Sequence, residues 1–286
     1  MSHLLQGESA LAADRQTVRQ VIARLKDLPC SLPVVQKAID AVQDPNCTNG
    51  QLERILAADQ GITTRLLRLA NSAYFGVSRK VSTLSMAVTL IGYGRLKTIL
   101  RHIMVAEVLE LLSAKSPAAN RIWKVAIAAG AASRETAQAC RVGDPEELLA
   151  VGLLHNVGDL ALLCQFPDQF LAAEESGSVF GVDSGTAGQW LLDGWLFPAI
   201  FGMSCRLWPS PLSACVEERL RPRVAAVHVG VKLARSWVEG CDLDLAATSL
   251  LPEAVDALGL NGDTIAAIYD GLEQNVNEVL EVLNLA

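Results

Sequence analysis

The sequence predicts an all-α protein built from many helices. Apolar residues recur at spacings of three and four along most of the chain, which is the period of a helix with one buried face. Helix-start signals precede several of these segments, among them Thr48 with Gln51 three residues later, the pattern of a capping box. No run shows the strict alternation of a half-buried strand, and no segment repeats.

The first half of the chain reads as six helices separated by breaking residues. Pro29 ends the first, because the residue before a proline resists helical geometry. Ser82 is the expected N-cap of the fifth, and Gly92 with Gly94 should separate the fifth from the sixth. The predicted helices cover residues 17–28, 34–43, 51–58, 62–70, 84–91 and 95–112.

Residues 113–119, which include Pro117, mark the best internal boundary. We therefore expect a tail over 1–16, a helical half over 17–115 and a second helical half over 116–286. In the second half, the segment 176–188 with its four glycines is expected to be a loop, and Pro198 should break a helix. The predicted helices cover 120–140, 146–155, 160–164, 190–205, 223–238 and a closing segment with Ile265, Ile268, Leu272, Val276, Val279 and Leu283.

Composition narrows the function classes. Hydrophobic residues make up 51% and charged residues 19% of the 286 residues, which is typical of a compact globular protein. A net charge of -7 with scattered lysines and arginines argues against a nucleic-acid partner. The seven cysteines form no C-x-x-C pair, which fits reduced thiols. We expect a cytoplasmic protein, since the start does not resemble a signal peptide and the apolar stretch 191–205 is too short to cross a membrane.

The segment 151–159 is the most informative for chemistry. His155 follows an apolar helix and is followed by Asn156, and Gly158 is expected to release the chain from helical geometry. A His-Asp pair here would supply half of a metal site, but an asparagine carries no charge and binds metal weakly. A histidine with apolar neighbours is more often a buried, hydrogen-bonded side chain than a ligand. Asp159 lies four residues after His155 and could share its face.

Four phrases together resemble the HDOD family of bacterial signalling proteins. These are Leu-Pro-Cys-Ser-Leu-Pro at 28–33, the segment 59–76 with Asn-Ser-Ala-Tyr at 71–74, the segment 81–92, and Gly-Leu-Leu-His-Asn-Val-Gly at 152–158. The resemblance covers roughly residues 18–215. Gln60 stands where the family usually has proline, and Asn156 stands where it often keeps aspartate.

The resemblance implies a fold and a dismantled site. The family joins an N-terminal helical subdomain to a degenerate HD-like half, related to metal phosphohydrolases that collect their ligands from several helices. At the corresponding positions this chain has few ligands, and His228 is offset from the closing one. The expected vestigial HD cleft comprises His155, Asn156, Asp159, Trp123, Ser184, Trp208 and Val231, with no metal, no cofactor and no catalytic residue.

The resemblance also implies a function. It favours a non-catalytic signalling protein that serves as an interaction output module in a two-component or cyclic-dinucleotide pathway. The partner is then a protein rather than a nucleic acid or a membrane, with Asn71, Tyr74 and Phe75 as candidate contacts, and a homodimer is left open. Two alternatives remain. One is an HD-type metal-dependent phosphohydrolase, and the other is a sensor that binds a small ligand in the vestigial cleft.

Overall fold

The chain is helical throughout the part that the computed structural model describes, namely residues 14–25, 31–71, 81–111, 116–176, 181–195 and 197–285. These ranges contain seventeen α-helices, one short 3-10 turn at Glu218–Leu220 and no β-strand. The all-α prediction is confirmed.

The first half holds six helices within the described ranges, and one of the two predicted N-caps is confirmed. The Thr48 hydroxyl accepts a hydrogen bond from the Gln51 amide, and the Gln51 side chain accepts one from the Thr48 amide, so the capping box is confirmed. Ser82 is wrong as the cap of the fifth helix, because the Thr83 hydroxyl fills that role. The helices are α1 (Arg15–Arg24), α2 (Ser31–Gln43), α3 (Asn49–Leu56), α4 (Gln60–Ala70), α5 (Leu84–Ile91) and α6 (Tyr93–Leu111).

The second half holds eleven helices. Asp144 caps the helix that leads to His155, and Pro145 occupies the first turn, where no amide proton is needed. The helices are α7 (Pro117–Cys140), α8 (Pro145–Leu154), α9 (Val157–Gln165), α10 (Pro167–Ser176), α11 (Ser184–Gly194), α12 (Ala199–Leu207), α13 (Arg221–Val238), α14 (Leu243–Thr248), α15 (Pro252–Leu258), α16 (Gly262–Asp270) and α17 (Leu272–Leu285).

Several predicted boundaries differ from the structure for local reasons. The loop expected over 176–188 is wrong in its last part, because the Asp183 carboxylate accepts hydrogen bonds from the Thr186 amide and hydroxyl and starts α11. The closing segment is two helices that meet at Gly271. Only Gly92, with φ 75°, separates α5 from α6, so Gly94 lies inside α6. Helices α10, α14 and α15 were not predicted.

The core of the second half is organised around α7. This helix packs along both α13 and α8, and small residues line the crossings. At Gly152, for example, an added Cβ would lie 2.6 Å from the Ala129 carbonyl oxygen. Because the helix axes approach so closely, the turn after α8 is held firmly against α7.

An ion network centred on the buried Arg101 joins the two halves. Arg101 on α6 is 6% exposed and contacts Asp144 at 2.7 Å and Glu147 at 3.2 Å, both at the start of α8. Lys97 and Arg223 reach the same carboxylates, at 3.3 Å from Asp144 and 3.5 Å from Glu147. Burial alone would raise the pKa of Asp144, but the hydrogen bonds and charges of Arg101 and Lys97 lower it below its usual range.

One stretch of the described residues, Pro145–Gln165, is long and apolar enough to cross a membrane by length and composition. It is weak evidence for a membrane span, because 83% of it is buried within the fold and core helices pass the same test. The stretch comprises α8, the turn at His155 and α9.

Candidate functional site

The site centres on the turn between α8 and α9. His155 and Asn156 form this turn, and α9 begins at Val157. The expectation that Gly158 ends the helix is therefore wrong. Gly158 lies inside α9, where a Cβ would overlap the carbonyl oxygen of Ser184. Its lack of a side chain lets α9 and α11 cross in direct backbone contact, which sets the distance between these two walls of the site.

His155 is buried, with 2% of its surface exposed. Its Nδ1 lies 2.7 Å from the Gly152 carbonyl oxygen, which can only accept, so Nδ1 carries the proton and Nε2 is an acceptor. That Nε2 atom has no hydrogen-bond partner in the structure. Burial lowers the pKa of His155 to about 3, the Gly152 hydrogen bond opposes this shift, and the charge of Arg235 adds to it. The imidazole is therefore neutral.

Asn156 is 6% exposed, and its side chain faces α7. Its Nδ2 donates a hydrogen bond of 2.9 Å to the Ile122 carbonyl oxygen on α7, which fixes the orientation of the amide. The remaining atom, Oδ1, is buried without a hydrogen-bond partner. An aspartate could not make the Ile122 contact while ionised, since two oxygens would then face each other.

A cavity of about 880 Å³ opens beside this turn. Of the predicted cleft residues, Asn156, Asp159 and Ser184 line it. His155 and Trp208 do not line it but lie against each other, with their rings perpendicular and their centroids 6.1 Å apart.

Trp123 and Val231 are also absent from the cavity lining. Trp123 is half-buried on α7, and its neighbour Ile122 lines the cavity instead. Val231 is fully buried on α13, and Arg235, one helical turn further along, reaches the cavity. Val231 offers a metal no donor atom.

The other histidine near the turn is a packing residue. His228 is fully buried on α13, where Nδ1 donates to the Trp208 carbonyl oxygen at 2.9 Å. Its Nε2 accepts a hydrogen bond of 3.2 Å from the Leu251 amide. Burial lowers its pKa, and both ring nitrogens are used. It cannot replace a missing metal ligand without losing one of these bonds.

The residues at this site do not fit a catalytic metal. A catalytic metal needs about three protein ligands. No group of three His, Cys, Asp or Glu side chains suited to a metal occurs in the described ranges. His155 retains the carbonyl contact that usually orients a ligating histidine. Its neighbour Asn156 directs an amide NH2 at a carbonyl instead of offering a carboxylate.

Four arginines that no sequence pattern predicts line the cavity. Arg121, Arg206 and Arg235 lie on α7, α12 and α13, and Arg15 at the start of α1 completes the set. Arg235 stacks over the Trp208 ring, with its Cζ atom 4.8 Å from the ring centroid. No run of basic residues in the sequence predicts this cluster, because each arginine comes from a different helix.

Comparison with known proteins places the chain in a family. The model of the HDOD domain matches residues 28–207, well over half of the chain. The chain belongs to the HDOD family. Its N-terminal α1, with Arg15, and the cavity residues of α13 lie outside the matched HDOD region.

Solved structures share the fold of this HDOD protein. One from Shewanella amazonensis, whose name points to a phosphohydrolase, has a TM-score of 0.65 at 20% identity and covers 94% of this chain and 97% of its own. An HDOD domain protein of unknown function from Geobacter sulfurreducens has a TM-score of 0.61 at 18% identity, with coverage of 93% and 98%. A protein from Marinobacter aquaeolei, named for signal transduction, has a TM-score of 0.66 at 17% identity, with coverage of 95% and 65%.

A curated relative from Treponema pallidum, itself uncharacterized, is 27% identical over 155 residues. The match spans 53% of this chain and 28% of that longer protein. At these identities the solved structures establish the HDOD fold and no activity.

The structure gives Asn71, the first residue of the HDOD phrase at 71–74, a clear role in the fold. The Asn71 side-chain amide donates to the carbonyl oxygens of Leu67 at 2.7 Å and Val81 at 2.8 Å, and its oxygen accepts from the Val81 amide at 2.8 Å. Asn71 thereby ties the end of α4 to the residue that follows segment 72–80. Tyr74 and Phe75, predicted as partner contacts with Asn71, lie outside the described residues.

Proposed function

We propose that this HDOD protein is a non-catalytic signalling module that acts in the bacterial cytoplasm by binding another protein, in a two-component or cyclic-dinucleotide pathway. The observation that carries the proposal is the Asn156 amide, which donates to the Ile122 carbonyl at the position where an HD-type pair would need a carboxylate. The six cysteines of the described ranges are free thiols, which agrees with a reducing compartment.

The electrostatics of the site oppose metal-assisted hydrolysis. A metal lowers the pKa of bound water and stabilises developing negative charge, and it needs several anionic or imidazole ligands to stay bound. At the turn the site offers one neutral imidazole, His155, beside a neutral amide, and the nearby carboxylates form no group of three metal-binding side chains within the described ranges. The position corresponding to the closing aspartate is Val231, which is fully buried among apolar neighbours.

An exposed apolar face on α5 supports the interaction role. Met86 and Leu90 are 45% and 36% exposed and lie four residues apart, so they share one face of α5. Among the residues whose burial the structure describes, the other large exposed apolar side chains lie singly on α10, α14 and α17. Two adjacent apolar side chains on one helix offer a partner more contact area than isolated ones. The structural neighbour named for signal transduction agrees with this role.

Metal content and hydrolysis test the non-catalytic part. The parent protein and Asn156→Asp are purified, analysed for metals and assayed on a phosphodiester with added manganese. We expect neither stoichiometric metal nor turnover in either protein, because one restored carboxylate leaves the other ligand positions empty. The new carboxylate would face the Ile122 carbonyl, so Asn156→Asp should be less stable at neutral pH and recover as acid protonates it. One or two metals per chain, with turnover lost in His155→Ala, would establish the phosphohydrolase instead.

Introducing a negative charge on the apolar face of α5 tests the interaction part. Met86→Glu and Leu90→Glu are compared with Leu245→Glu, a control on α14 whose residue is 58% exposed. Each protein is cross-linked in bacterial lysate, and the captured proteins are identified. We expect one protein to be captured by the parent and the control but lost with both α5 variants. Capture that is equal for all four proteins would contradict the assignment of α5.

A further inference from the structure

The cavity concentrates positive charge in an acidic protein. The chain carries a net charge of -7, yet four arginines face the cavity, at positions 15, 121, 206 and 235. The carboxylates that share the lining are Asp159, Asp183 and Glu239. Asp183 is engaged as the cap of α11. Neither Arg206 nor Arg235 forms a salt bridge within the described ranges. Unpaired guanidinium groups around a cavity attract an anion.

A second observation points to a ligand at the same place. Asn156 lines the cavity, is 94% buried and has an Oδ1 atom without a hydrogen-bond partner. A buried acceptor left unsatisfied costs about 1–3 kcal/mol, so a group that donates to it gains binding free energy. The Ile122 contact on Nδ2 excludes a rotated amide that would present a donor instead. A ligand that combines an anion with a hydroxyl or N–H donor would match both features.

We propose that this cavity binds a phosphorylated small molecule with hydroxyl or N–H donors, of the nucleotide class, and holds it without hydrolysis. Arginines bind phosphate through paired N–H donors, and Arg235 is held in place by its stacking on Trp208. The Asn156 oxygen accepts from the ligand's hydroxyl or base. A volume of about 880 Å³ accommodates such a molecule. Only the absence of hydrolysis rests on the proposed function.

The ligand would also contact α1, which comes from the other half of the chain. Arg15 lines the cavity, and α1 packs on α11. Trp195 donates a hydrogen bond of 3.1 Å from Nε1 to the Leu25 carbonyl oxygen. Arg15 and Arg19 both stack near Trp190, at 5.6 and 5.4 Å from its ring centroid. A phosphate held by Arg15 and Arg206 therefore links α1 to α12 and should slow hydrogen exchange in α1.

Calorimetry on the full chain tests this inference with four probes: GMP, cyclic di-GMP, guanosine and inorganic phosphate. We expect at least one of the two nucleotides to bind, with guanosine and phosphate each at least about tenfold weaker, since each keeps half of the recognised chemistry. Arg206→Gln and Arg235→Gln should each weaken nucleotide binding about tenfold. The control Arg219→Gln, at a side chain 79% exposed and paired with Glu217, should bind as the parent does.

Each outcome is decisive. Binding that resists both cleft substitutions, or equal binding of guanosine, overturns the inference, and equal binding of inorganic phosphate reduces the site to a simple anion site. If neither nucleotide binds at about 1 mM, the inference fails and the non-catalytic proposal stands. If a nucleotide binds and is recovered hydrolysed, the binding site is supported and the non-catalytic proposal fails.

Hydrogen exchange tests the link between the two halves. Slower exchange in α1 on nucleotide addition, lost in Arg206→Gln, supports this link, and unchanged exchange contradicts it.

Discussion

His155 stands where the family resemblance implies a metal ligand, and the structure buries it. In metal sites a histidine commonly donates one ring nitrogen to a carbonyl and offers the other to the metal. His155 keeps the first contact, with Gly152, but its second nitrogen is buried without a partner. Proton binding there would create a buried charge beside Arg235, so the ring stays neutral far below the usual pH of titration.

Neutral His155 makes stability depend on pH. Its folded pKa is lowered from 6.5 to about 3, so the unfolded chain takes up the proton first as the pH falls. The associated stability is fully present above about pH 6.5 and is lost between there and about pH 3, by about 2 kcal/mol at pH 5. His155→Gln should cost roughly 1–3 kcal/mol at pH 7, and this penalty should shrink by about 2 kcal/mol at pH 5. Urea unfolding at both pH values measures it; a constant penalty would contradict the lowered pKa.

Only part of the site could be predicted at this scale. The sequence alone predicts that position 156 has no carboxylate, because residue type decides whether a charge is present. The sequence does not predict the hydrogen bond from Asn156 to Ile122. It also does not predict that Arg121, Arg206 and Arg235 line one cavity. They depend on how three helices cross, and helix crossings are set by packing across the whole core.

Among the elements, the crossing of α9 and α11 decides the shape of the cleft. Gly158→Ala places a methyl group against the Ser184 carbonyl oxygen, which is backbone and cannot rotate away. We expect a loss of roughly 1–3 kcal/mol in the free energy of unfolding. Gly94→Ala on α6 is the control, because no atom lies within 4 Å of its added Cβ and its φ is not positive. It should leave stability unchanged or raise it by up to about 1 kcal/mol. Equal effects in urea unfolding would contradict this account of the crossing.

The same crossing explains why sequence patterns failed for some elements. Gly185 and Gly188 favoured a loop, since glycine is common in turns. In the structure they lie inside α11, where Gly188 meets α9 and Gly185 meets the end of α12. Conversely, the apolar period from Ile265 to Leu283 runs through a real helix end, because α16 and α17 both keep their apolar faces on the same core. Capping signals are local, and they were predicted in part: Thr48 is confirmed, whereas the cap expected at Ser82 is its neighbour Thr83.

In the whole molecule, the buried Arg101 network fastens the N-terminal half to the second half. Arg101→Gln removes the charge that both Asp144 and Glu147 contact, and it should cost roughly 2–4 kcal/mol at neutral pH. Arg219→Gln breaks an exposed pair and should cost less than about 1 kcal/mol. The pKa of Asp144 should rise in Arg101→Gln, so its penalty should diminish in acid. Unfolding curves at several pH values would show this, and similar costs for the two variants would rule out the network as the joint.

The contribution of α1 to the cavity wall has a consequence for how such proteins diversify. Arg15, which lines the cavity, and the Leu25 carbonyl, which accepts a hydrogen bond from Trp195, precede the matched HDOD region. Asn156, which also lines the cavity, lies within that region. Substitutions in α1 can therefore change the side chains at the cavity edge while the helices of the HDOD region stay unchanged. Chimeras that exchange α1 alone between relatives should therefore transfer ligand preference, while the fold of the remaining helices stays the same.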